Sequence, residues 1–102
     1  PEGSYATDPY DPAVRIREFK QMVRSLHRNG IRVVMDAVYN HTHRTEESNF
    51  SLTVPGYYYR HEADGSFSDA TGCGNETASE RAMMRRLIVD AVCYWATGSA
   101  SI

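Results

Sequence analysis

Two stretches of the chain repeat apolar residues at helical spacing, and between them lie a short apolar run and a long aperiodic segment. In the first, Ile16, Phe19, Met22, Val23 and Leu26 share one face while Arg15, Glu18, Arg24 and Arg28 take the others. Asp11-Pro12 predicts where that helix begins. The carboxylate can accept the free N–H groups of the first turn, and a proline is harmless at a position whose N–H has no partner. Asn29-Gly30 predicts its end, since glycine readily adopts the left-handed conformation that closes helices. The next eight residues, Ile31-Arg32-Val33-Val34-Met35-Asp36-Ala37-Val38, are rich in β-branched side chains and apolar on both parities. That pattern predicts a strand covered on both faces, as in a parallel α/β sheet.

From Tyr39 to about Glu76 no period survives, and a connection of that length in a small domain usually shapes a site. Thr77-Ala78-Ser79-Glu80 then matches the capping box, and Met84, Leu87, Ile88, Ala91, Val92 and Trp95 recur at helical intervals, predicting a helix from about Ala78 to Ala96. Gly98-Ser99-Ala100-Ser101-Ile102 has no pattern and reads as a tail. The order is helix, buried strand, long loop, helix. A lone two-sided strand has nothing beside it to complete its hydrogen-bond ladder, so the chain is expected to be a piece of a larger α/β protein, about one and a half βα units. Pro1-Glu2-Gly3, with neither a start methionine nor a signal-peptide pattern, reads like the interior of a longer chain.

Composition narrows the class. At 102 residues the chain is roughly two-fifths of the ~250 that a full (β/α)₈ barrel needs. A content of 41% hydrophobic and 24% charged residues is that of ordinary globular protein and argues against disorder, collagen and coiled coil. The longest apolar run, Ala91 to Ala96, is too short for a membrane span. A net charge of −2, with ten Arg and one Lys dispersed rather than clustered, argues against nucleic acid as a partner. Cys73 and Cys93 cannot form a four-ligand zinc site by themselves, and Cys73 has no His or Asp at nucleophile spacing.

Candidate chemistry gathers just past the strand, where parallel α/β folds keep their ligand-handling groups: Asp36, Asn40, His41, Thr42 and His43 fall within eight positions. Alone, Asp36 could be a buried carboxylate held by an Arg or by backbone amides. Asn40 and His41 on the adjoining loop favour a binding role, because loops over a rigid sheet are where such groups concentrate. His41 and His43 with Asp36 could also ligate a metal, although no second cluster with ligand spacing follows, and His61 reads as a surface loop residue. Tyr39, Phe50, Tyr57, Tyr58, Tyr59 and Phe67 suit stacking on the apolar faces of sugar rings, or they pin the loop. Gly72-Cys73-Gly74-Asn75 lacks the lysine and the glycine spacing of nucleotide cradles and predicts a tight turn presenting Asn75.

The run Asp36-Ala37-Val38-Tyr39-Asn40-His41-Thr42 resembles the first conserved motif of the α-amylase superfamily, glycoside hydrolase family 13, an Asp-x-x-x-Asn-His at the end of the third barrel strand. The flanks resemble the bacterial type I pullulanase family. Pro1-Glu2-Gly3-Ser4-Tyr5 with Asp8-Pro9-Tyr10-Asp11, Phe19-Lys20-Gln21-Met22-Val23, Val54-Pro55-Gly56-Tyr57-Tyr58-Tyr59-Arg60, and Thr71-Gly72-Cys73-Gly74-Asn75 running into Thr77-Ala78-Ser79-Glu80 carry that likeness over residues 1–97. The resemblance implies an α/β chain forming part of a TIM (β/α)₈ barrel, namely its second helix, third strand, the long loop and third helix, with 98–102 unmatched. It implies hydrolysis of α-1,6 links in branched α-glucans such as pullulan, starch or glycogen-type polymers, by a bacterial enzyme, secreted or cytoplasmic. By the same resemblance His41 hydrogen-bonds the sugar ring that is cleaved, Asp36 orients neighbouring groups, Asn40 supports the loop, and Asn75 lies near the substrate cleft. In many α-amylases the residue equivalent to Asn40 ligates calcium; no metal or other cofactor is assigned here. Family enzymes are retaining glycosidases with an Asp nucleophile and a Glu acid on the fourth and fifth strands, about 5 to 5.5 Å apart. Neither motif occurs in this sequence, so no catalytic residue is assigned, the chain alone is expected to be inactive, and the rest of the barrel is its expected partner. An isoamylase-like debranching enzyme, or a non-catalytic glucan-binding polypeptide, are the alternative readings.

Overall fold

The computed structural model describes residues 5–98, which form three helices: α1 (Pro12–Arg28), α2 (Asn49–Thr53) and α3 (Ala82–Gly98). The chain divides into two compact units, one built from the residues up to Met35 with those from Cys93, the other from Asp36–Val92.

In the first unit α1 begins where expected. Asp11 caps it, accepting from the N–H groups of Ala13 (2.8 Å) and Val14 (3.4 Å), with Pro12 as the first helical residue. Asn29 closes it, its side-chain amide donating to Ser25 O, and Gly30 follows with φ +74°. Thr7 donates through its N–H and its hydroxyl to Glu18, and these bonds hold the Glu18 carboxyl below the usual glutamate range. From the last turns of α3, Trp95 meets the Phe19 ring edge-on at 5.4 Å, and the Lys20 ammonium lies 5.1 Å from the centre of the Tyr94 ring. Among the described residues of this unit, Val23 is the buried apolar side chain.

The strand expected over 31–38 does not form. Residues 31–38 take no regular secondary structure, and Ile31, Val34, Met35 and Val38 are exposed, Val34 to 93%. The physical reason is the one that made the segment look incomplete: a strand exists through its neighbours' N–H and C=O groups. Ile31 donates instead to Leu26 O at the end of α1.

The second unit holds most of the burial, with Tyr59, Ala78 and Met84 sealed. Its long segment is less irregular than its sequence suggests. Ser48 caps the short α2, accepting from Ser51 N–H, and isolated antiparallel bridges join Tyr59 to Thr77 and His61 to Phe67. The predicted start of the last helix is also corrected. α3 begins at Ala82 rather than near Ala78, because the residues of the expected capping box are committed elsewhere: Thr77 to Tyr39 and Asn40, Ala78 N–H to Tyr58 O, and Glu80 to Arg60. At its other end α3 runs through Gly98, so the tail predicted at 98–102 starts one residue later at the earliest; residues 99–102, like 1–4, lie outside the described part.

Candidate functional site

Tyr39–Thr42 is held by a segment more than thirty residues further along. The Thr77 hydroxyl donates to Tyr39 O (2.6 Å) and its N–H to Asn40 O (3.0 Å), while the Asn75 side chain takes both backbone groups of Thr42, accepting from N–H at 3.0 Å and donating to C=O at 2.8 Å. Just beyond, the Tyr59 hydroxyl lies 2.7 Å from Thr42 Oγ1, 3.0 Å from Ser48 Oγ and 3.1 Å from Arg44 O. The Tyr59 ring is 2% exposed and meets Phe67 edge-on at 5.7 Å. Buried polar groups here are paired with one another, as a low-dielectric interior requires.

On this pinned turn Asn40 and His41 stand together, His41 Nδ1 2.8 Å from Asn40 Oδ1. An amide oxygen only accepts, so the bond puts the proton on Nδ1 and leaves the Nε2 lone pair of the neutral ring available. Asn40 is exposed and His41 half-buried, so this edge of the ring can meet a ligand. Asp36 is exposed and, among the described residues, has no hydrogen-bond or ion-pair partner, so the structure does not bring it into this group. Asn75 lies behind the turn, 3% exposed.

The glycines around Cys73 explain how Asn75 arrives there. Gly72 (φ +72°) and Gly74 (φ +92°) adopt the left-handed conformation, Asp69 accepts from Gly74 N–H at 2.7 Å, and the Thr71 hydroxyl donates to Asn75 O. The tight turn expected from the sequence is therefore present. Cys73 and Cys93 are exposed free thiols. Among the described residues no group of three or more His, Cys, Asp or Glu side chains could hold a metal ion; His43 and His61 are exposed, with His61 Nδ1 3.1 Å from Tyr59 O and its ring against Phe67.

The tyrosine run pins the loop. Tyr58 stacks on Phe50 (4.9 Å) and meets Tyr57 edge-on, while Arg81 lies over the Tyr57 ring and donates to Gly56 O and Tyr57 O. Beside them Arg60 pairs with the half-exposed Glu80 (2.8 Å) and the nearly buried Glu76 (3.3 Å). The hydrogen bond from Arg60 holds the Glu80 carboxyl below the usual glutamate range, and the two carboxylates raise Arg60 in turn. A lowered carboxyl favours the paired state above its ordinary value and loses that contribution as pH falls through the lowered one. Arg60→Gln should therefore return Glu80 to an ordinary titration, read from its carboxyl carbon by NMR; an unchanged midpoint would show that Arg60 is not the cause.

Sequence reasoning singles out Asn40, His41 and Asn75, counts Thr42 among the polar groups past the strand and offers pinning of the loop as one reading of Tyr59, but it does not foresee the clasp that joins them and reads Thr77 only as part of a helix cap.

The chain matches no protein-family profile. It is 53% identical over 95 residues to the pullulanase of Bacillus subtilis strain 168, covering 93% of this chain and 13% of that protein. Its backbone superposes on the crystal structure of the Anoxybacillus sp. LM18-11 pullulanase complexed with maltotetraose with a TM-score of 0.89 at 51% identity, over 98% of this chain and 15% of that one. The chain is a pullulanase-like segment. A second pullulanase structure, from Paenibacillus barengoltzii in complex with maltohexaose and α-cyclodextrin, superposes with a TM-score of 0.85 at 53% identity, over 93% of this chain and 15% of that one. The chain thus spans about a seventh of the length of the pullulanases it matches. The alignment with Bacillus subtilis pullulanase covers nearly all of the chain, which places the pinned Asn40-His41 turn within a pullulanase-like context.

Proposed function

We propose that the chain forms part of the (β/α)₈ barrel of a pullulanase-like glycoside hydrolase and furnishes one wall of its substrate cleft. On this reading residues 31–38 become the third barrel strand when neighbouring strands supply their ladder partners, which also covers Ile31, Val34, Met35 and Val38. His41 then stands at the strand's carboxyl end and bonds a hydroxyl of the ring being cleaved through Nε2, with Asn40 fixing the tautomer. Asp36 orients neighbouring groups of the site. The single observation that carries the reading is the Asn40-His41 pair, Asn40 exposed and His41 half-buried, on a turn fastened from behind at Tyr39, Asn40 and Thr42. The maltooligosaccharide complexes of similar pullulanases support an α-glucan as ligand, and we extend that to a branched α-glucan as substrate. Hydrolysis of the α-1,6 link requires a carboxylate nucleophile and a carboxylic acid, which the family resemblance puts on the fourth and fifth barrel strands rather than on the elements matched here, so on this reading the chain contributes binding and orientation rather than bond cleavage.

The test is an exchange. Replacing the matched segment of Bacillus subtilis pullulanase with this chain should leave an enzyme that releases reducing ends from pullulan, while the chain alone releases none. A folded but inactive exchange enzyme, or hydrolysis by the isolated chain, would sink the proposal.

A further inference from the structure

We infer that Asn75 acts as a positioning residue for His41 and does not itself touch the sugar, an inference that rests on the functional reading just given. Its carboxamide spans 33 positions of sequence to take the N–H and C=O of one residue, Thr42. That exchange of two hydrogen bonds copies the pairing of neighbouring antiparallel strands, and only a side chain with a donor and an acceptor in one plane can imitate it. At 3% exposure the amide has no surface to offer a ligand, whereas the residue it grips directly follows the half-buried His41. Thr77 fastens the other side through Tyr39 O and Asn40 O, so His41 sits between two anchored points and its ring direction is set by backbone that cannot pivot. An alanine at position 75 would leave the Thr42 N–H and C=O without these partners in a part-buried place.

A double-mutant cycle in the exchange enzyme tests this, read as kcat/KM on pullulan with thermal melting recorded for each protein. Asn75→Ala should lower kcat/KM toward, but not beyond, the loss caused by His41→Ala. In the H41A background the same change should cost less than about twofold, because the route from residue 75 to the reaction runs through the missing imidazole. Asn75→Asp supplies a second readout. As a carboxylate it accepts from Thr42 N–H but repels Thr42 O, whereas protonated it can do both, so its activity relative to the unsubstituted enzyme should recover as pH falls. Equal losses in both His41 backgrounds, or a pH-independent N75D deficit, overturn the inference, as does failure of both variants to fold, which would make Asn75 a residue of the fold only. An inactive unsubstituted exchange overturns the functional reading and this one with it.

Discussion

In urea the isolated 102-residue chain should lose its structure gradually, without a cooperative transition. Cooperativity arises when many apolar groups share one interior, and few of the described residues are buried apolar ones: Val23 in one unit, and Tyr59, Ala78 and Met84 in the other. The faces that would complete an interior lie open. Met22 on α1, Leu87 and Val92 on α3, and four apolar side chains of 31–38 are all exposed. At roughly 25 cal/mol per Å² of apolar surface, such side chains contribute little until something covers them. Circular dichroism and tryptophan fluorescence, followed together, should therefore give broad and non-coincident curves. A sharp, coincident two-state melt of a monomer would refute the view that the interior is completed from outside the chain.

Carried within the exchange enzyme, His41→Ala should reduce kcat/KM on pullulan by about 1 to 3 kcal/mol, about 5- to 150-fold, the range for one hydrogen bond to a ligand in a site shielded from water. The geometry behind the number is the 2.8 Å contact from Nδ1 to Asn40, which leaves Nε2 as the free edge of the ring. If the bond strengthens as the ring flattens toward its oxocarbenium-like form, the loss falls mainly in kcat; if it is equal in both states, KM rises instead. Unaltered kinetics would remove His41 from the site altogether.

The parts of this chain legible in its sequence are those governed by local chemistry. Asp11-Pro12 and Asn29-Gly30 bound α1 because a cap and a left-handed glycine act within a few residues, and Gly72 and Gly74 make their turn for the same reason. The Asn40-His41 pair was legible through its motif. What the sequence concealed depends on distant partners. Residues 31–38 have the composition of a strand but no ladder, and Thr77-Ala78-Ser79-Glu80 has the spelling of a helix cap while its groups serve Tyr39, Asn40, Tyr58 and Arg60. The Tyr59 hydroxyl, reaching Thr42, Arg44 and Ser48, joins residues whose common fate no periodicity announces.

The clasp between Asn75-Thr77 and Tyr39-Thr42 shuts the intervening stretch at its base, and Tyr58, Tyr59 and Arg60 tie its middle to the residues from Glu76 to Glu80. Lengthening or trimming its outer part, around Asp64-Gly65 for instance, adds only the slowly growing entropy of a larger closed ring and leaves the knot untouched. Natural variation in that outer part can therefore proceed while the imidazole keeps its station.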